Sequence, residues 1–144
     1  MINELRKQHP YFYYVKNSPS LGHDKNILST LQLPDTDYIW LAGDSVVIRD
    51  GSISRILEVL TDAYDFIFLN SYRKNIGSTA DVGNVADFLL QHAWYLTLTG
   101  ATVYNANVIT ALNAREEVKY YKNFQQLGII LDYVSSAKAT AYWL

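Results

Sequence analysis

The chain contains no cysteine, which excludes disulfide bridges, thiolate metal sites and a cysteine nucleophile, and leaves the redox state of its compartment open. No uninterrupted apolar run reaches the roughly 18 residues that a membrane-spanning helix needs. The opening M-I-N-E-L-R-K-Q-H-P also lacks the apolar core of a signal peptide, so a soluble chain is expected. A surplus of charge is missing too: 12 basic against 14 acidic side chains leave a formal charge of -2, which offers no basic field for nucleic acid. There is no G-x-S-x-G elbow, no G-x-x-x-x-G-K-[ST] and no G-x-G-x-x-G, so the commonest hydrolase, P-loop and dinucleotide signatures are absent. His9, His23 and His92 lie far apart without metal-ligand spacing and are read as solvated or packed side chains.

What is present fits one α/β domain. A chain of 144 residues with 49% hydrophobic composition can bury a substantial core. Its 12 tyrosines fall mostly in strand-like runs and so read as core rather than as a stacking surface. The most informative stretch is D-Y-I-W-L-A-G-D-S-V-V-I, residues 37 to 48. Tyr38 to Leu41 have the composition of a strand buried on both faces. Gly43 ends the strand, and Asp44 and Ser45 then stand at its carboxyl end, where open α/β sheets bind ligands. A carboxylate there can hold a divalent cation that bridges a diphosphate.

Tyr11 to Lys16 reads as an earlier strand, followed by a turn cluster and a short helix with Ile27, Leu28 and Leu31 as its apolar stripe. Gly22-x-x-x-Asn26 at that helix start could present backbone N–H groups and an amide to a phosphate or ribose, or could be a plain glycine turn. A second helix after Asp50-Gly51 carries Ile53, Ile56, Leu57 and Leu60, and Asp65 to Leu69 forms the next strand, closed by Asn70. This βαβ unit makes the two strands parallel neighbours or near neighbours and puts Asn70 at the same edge as Asp44. The polar stretch 71 to 83 is read as a candidate lid. A helix follows over 84 to 96 with Val85, Phe88, Leu89 and Trp94 buried, then a short strand at 101 to 104. Helical patterns over 105 to 121 and 124 to 135 and a last strand at 139 to 144 complete the chain. Glu116-Glu117 could hold a general base but reads more simply as a solvated helix edge.

Taken in order, N-S-P-S-L-G-H-D-K-N-I (17 to 27), Y-I-W-L-A-G-D-S (38 to 45), I-S-R-I-L-E-V-L and D-F-I-F-L-N (65 to 70) resemble the family 2 glycosyltransferases of the GT-A fold. T-G-A-T-V-Y-N-A-N-V-I (99 to 109) is similar to a later segment of that family. The resemblance implies a Rossmann-like, three-layer α/β/α fold and transfer of a sugar from a nucleotide-diphosphate donor to a glycan or lipid-linked acceptor. It implies a cytoplasmic place, at the inner face of the membrane through peripheral association. Asn17, Gly22, Asn26, Asp44 and Ser45 would bind the nucleotide-sugar, and Asp44 would hold a divalent metal, manganese or magnesium. The chain departs from the pattern where Ser45 and Val46 replace acidic residues, because a valine cannot ligate a metal. No catalytic base is assigned.

The family also places two strand-helix units ahead of the Y-F-Y-Y-V strand, and the opening of this chain resembles the helix that precedes that strand. Residues 1 to 144 are therefore expected to be a single, N-terminally truncated domain that self-associates through an uncovered sheet edge. The alternative readings are a non-catalytic relic or assembly module with a degenerate acidic motif, and a flavodoxin-like signalling domain with Asp44 as phosphoacceptor. The second fits poorly, because Asn17-Ser18 stands where an acidic pair would bind magnesium.

Overall fold

The computed structural model describes residues 2–71, 79–114 and 121–144. After helix α1 (Ile2–Gln8) come α2 (His23–Leu31), strand β1 (Tyr38–Trp40), α3 (Ser52–Val59), β2 (Phe66–Phe68), β3 (Ala80–Asp81) and α4 (Val85–His92). Then follow β4 (Thr102–Asn105), α5 (Ala106–Asn113), α6 (Gln125–Ser136) and β5 (Ala141–Trp143), with short 3-10 turns at Leu60–Asp62 and Ala93–Thr97. The five strands form one sheet in the order β1-β4-β2-β5-β3. Strand β4 runs antiparallel to both β1 and β2, and β5 runs parallel to β2. Hence β1, β2 and β5 point the same way, and their carboxyl ends share one edge.

Strand β2 lies at the centre because its three residues are apolar on both faces and both faces are covered. Phe66 and Phe68 enter the larger core with Ile27, Leu31, Leu89, Val108 and Ile130, contributed by α2, α4, α5 and α6. Ile67 points the other way, into a smaller cluster with Ile56 of α3 and Val103 of β4. Helices thus flank the sheet on both sides, an α/β arrangement in which one layer is thick and the other rests on α3. The start of β2 is fixed by Asp65: its carboxylate accepts from Thr140 N–H at 2.8 Å, Thr140 Oγ1 at 3.0 Å and the Tyr133 hydroxyl at 3.2 Å. Tyr133 in turn has its hydroxyl pKa raised, first by burial and then by the negative charge of Asp65.

Several expectations need correction. Residues 11 to 16 form no strand, and Tyr11 and Tyr13 are 88% and 78% exposed. Aromatic and β-branched residues favour a strand only when neighbouring strands receive them, and no strand among the described residues pairs with this run. Strand β1, expected to be buried on both faces, is instead an edge strand with only Ile39 buried. β1 and β2 are parallel near neighbours, as the βαβ reading expects, but β4 is inserted antiparallel between them, so the sheet is mixed.

Ile53 and Leu57 of α3, expected in the core, are 53% and 57% exposed, because the small cluster beneath this helix is reached by Ile56, Val59 and Leu60 instead. Helix α4 ends at His92, and the following 3-10 turn leaves Trp94 52% exposed rather than buried. Part of the candidate lid is strand β3, and residues 72–78 of it lie outside the described residues.

Helix α6 rests on a close approach at Gly128, where an added Cβ would fall on the Tyr121 side chain. Gly128→Ala is therefore expected to lower stability by about 1–3 kcal/mol through overpacking, although alanine is the better helix former by about 1 kcal/mol. Urea denaturation checks this, and an unchanged or raised midpoint would show that Tyr121 moves aside freely.

Candidate functional site

At the edge where β1, β2 and β5 end and β4 begins, a cavity of about 1030 Å³ opens. Leu41 continues from β1 into its wall, Leu69 and Asn70 from β2, and Gly100 leads from it into β4. The geometry of the wall follows from two glycines. Residues 43 to 46 make a turn closed by the Val46 N–H donating to the Gly43 carbonyl at 3.1 Å. Gly100 has φ 101°, a conformation rarely adopted by residues with a side chain, and a Cβ there would stand only 3.2 Å from Val46 Cγ2. The Trp40 indole N–H donates to the Gly100 carbonyl at 2.9 Å, which ties the end of β1 to the approach to β4. The turn is thus held at its base, and Asp44 and Ser45 remain exposed at its tip, on the cavity wall.

On the α2 side, Gly22 with φ 74° is the N-cap, and the Asn26 N–H donates to its carbonyl at 3.1 Å. Asn17 Nδ2 donates to Asn26 Oδ1 at 2.9 Å. That bond uses the acceptor of the Asn26 side chain and leaves its amide donors for the cavity, which Asn26 lines. Of the residues singled out in the sequence, Asn26, Asp44 and Ser45 therefore line one cavity, together with Asn70. Asn17 reaches the cavity wall through Asn26, and Gly22 shapes the helix start without lining the cavity. Glu116 and Glu117, weighed as base candidates, lie outside the described residues.

Among the cavity residues missed or set aside by sequence reasoning are three that can carry positive charge: Arg49, Arg55 and His23. Arg49 lies just before α3 and Arg55 one turn inside it. The only available signal was their position on either side of a helix start that follows the strand carrying Asp44.

The donor set limits what the cavity can hold. Asp44 is the one carboxylate side chain among the described residues that line it, Ser45 adds a hydroxyl, and Val46 contributes methyl groups that pack toward Gly100. Among the described residues no group of three or more His, Cys, Asp or Glu side chains could hold a metal ion. One carboxylate and one hydroxyl do not form a resident divalent site. Such a set suits magnesium or manganese only where the phosphates of a substrate supply further oxygens.

No protein-family model matches the chain, and no solved structure matches it. Among curated proteins it is similar to abequosyltransferase RfbV of Salmonella typhimurium, with 24% identity over 137 residues. That match covers 94% of this chain but only 37% of the relative. The similarity, to a glycosyltransferase and running along nearly the whole chain, supports kinship with glycosyltransferases.

Proposed function

We propose that this chain supplies the donor-binding part of a glycosyltransferase of the GT-A type, and that the cavity receives a nucleotide-diphosphate sugar. The observation that carries this reading is the convergence of Asn26, Asp44, Ser45, Asn70 and two arginines on one cavity at the carboxyl ends of parallel strands. Open α/β sheets bind ligands at that edge. The set offers amides and a carboxylate for ribose and sugar hydroxyls, and cations for phosphate. The reaction would join an acceptor hydroxyl oxygen to the anomeric carbon while the bond from that carbon to the diphosphate breaks. The bonding electrons leave with the nucleoside diphosphate.

A glycan or a lipid-linked glycan is the proposed acceptor, at the cytoplasmic face of a membrane. No helix among the described residues is long and apolar enough to cross one, so any membrane contact by them would be peripheral.

The test is titration calorimetry with a panel of nucleoside diphosphates and their sugars, including nucleotide-activated abequose, followed by radiolabelled transfer to a lipid-linked glycan. Binding of a nucleotide-diphosphate sugar together with transfer is expected. Binding without transfer would favour the non-catalytic relic, and binding of none of the panel would remove the proposal.

A further inference from the structure

Building on the nucleotide-sugar reading, we propose that Arg49 and Arg55 take up the charge of the donor diphosphate, so that donor binding does not require a divalent cation. Three observations carry this. First, Arg49 and Arg55 both line the cavity, on either side of the start of α3, where Ser52 N–H donates to the Arg49 carbonyl at 3.1 Å and Arg55 N–H to the Gly51 carbonyl at 3.1 Å. Both are thereby anchored to the amino end of a helix, whose unpaired N–H groups add positive potential.

Second, among the described residues neither side chain makes a hydrogen bond or ion pair, so both cations are free to meet a ligand. Among the described side chains that line the cavity two arginines stand against one carboxylate, Asp44, a local surplus of positive side chains in a chain whose formal charge is -2. A ligand carrying two or three negative charges is the complement of that field.

Third, Val46, two residues after Asp44 on the same wall, offers no metal ligand, and its side chain packs toward Gly100. The charge that a cation would neutralise is thus left to the arginines. Guanidinium suits the task, because its fork of N–H donors matches phosphate oxygens in pairs and remains charged at any working pH. When the bond from the anomeric carbon to the diphosphate breaks, the leaving oxygen gains negative charge, and fixed donors at that position lower the barrier.

The experiment measures binding by calorimetry in EDTA and in manganese, for wild type, R49Q, R55Q, the double variant and the two lysine variants. The probes are a nucleoside diphosphate, the matching nucleoside and inorganic pyrophosphate. Wild-type affinity for the diphosphates is expected to agree within about twofold in EDTA and manganese. Each glutamine variant should lose about tenfold and the double variant about 100-fold, as expected for charge-assisted hydrogen bonds. Affinity for the nucleoside should not change, and the lysine variants should recover part of the loss.

Both side chains are exposed, so melting temperatures should stay level and exclude misfolding as the cause. Binding that appears only with manganese, or glutamine variants that bind the diphosphates like wild type, would overturn the proposal. Pyrophosphate binding that depends on the arginines without any nucleotide preference would keep the anion site while removing the nucleotide-sugar reading. No binding of either anion would remove both.

Discussion

On the proposed glycosyltransferase reading, Asp44→Asn in a transfer-competent form of the protein is expected to lower sugar transfer by about 100-fold or more while leaving thermal unfolding nearly unchanged. The two halves of this expectation come from the same geometry. The Asp44 side chain is exposed at the tip of a turn, and the turn is held by backbone atoms of Gly43 and Val46 and by the packing of Val46 toward Gly100. The carboxylate makes no hydrogen bond to that scaffold among the described residues, so its replacement falls within the roughly ±0.5 kcal/mol typical of surface changes. In the cavity the effect is different. A carboxylate accepts from two sugar or ribose hydroxyls at once, each such charged bond contributing about 1.5–3 kcal/mol, whereas an amide has one neutral acceptor. Losing one bond and weakening the other amounts to about 3 kcal/mol, or roughly 100-fold in rate if both act in the transition state. The measurement is initial rate at saturating donor, in EDTA and in manganese. A loss of equal size in both identifies a hydrogen-bonding role, a loss confined to manganese identifies a metal ligand, and wild-type turnover would move Asp44 out of the site.

Local features of the chain were legible because they depend on neighbours in sequence. The stretch D-F-I-F-L-N could be read as a strand from its apolar run alone, and Gly43-Asp44-Ser45 as a turn from its composition. The carboxyl-edge position of Asp44 and Asn70 followed from the handedness of one βαβ crossover, and both residues line the cavity. What stayed hidden depends on partners distant in the chain. Nothing in residues 38 to 68 shows that β4, more than 30 residues later, slips antiparallel between β1 and β2. The run Y-F-Y-Y-V has stronger strand propensity than β3, yet β3 is paired and the aromatic run is not, since propensity cannot supply a hydrogen-bonding neighbour. Arg49 and Arg55 follow no motif spacing, and only the folding of the turn back over Gly100 turns that segment into a cavity wall.

The largest loss of stability is expected from Phe68→Ala. Phe68 is fully buried, and its ring stacks on Phe66 at 5.7 Å and on Phe88 of α4 at 5.4 Å, with Trp143 of β5 also against Phe88 at 5.3 Å. Truncation to alanine removes the middle ring of this stack and opens a void that the central strand cannot close, because β2 is held by β4 on one side and β5 on the other. Such a change costs about 3–5 kcal/mol in well-packed cores, a large part of the 5–15 kcal/mol that domains possess. Ile67→Val, one position away on the opposite face, removes a single methylene from the small cluster under α3 and should cost only about 0.5–1.5 kcal/mol. Urea denaturation followed by circular dichroism compares the two. The same order should appear in ligand binding: Phe68 precedes Leu69 and Asn70, which line the cavity, so loosening β2 displaces the wall. Comparable midpoints for the two variants would show that the face packed by α2, α4, α5 and α6 is not the principal core, and that the thin layer under α3 carries as much of the stability.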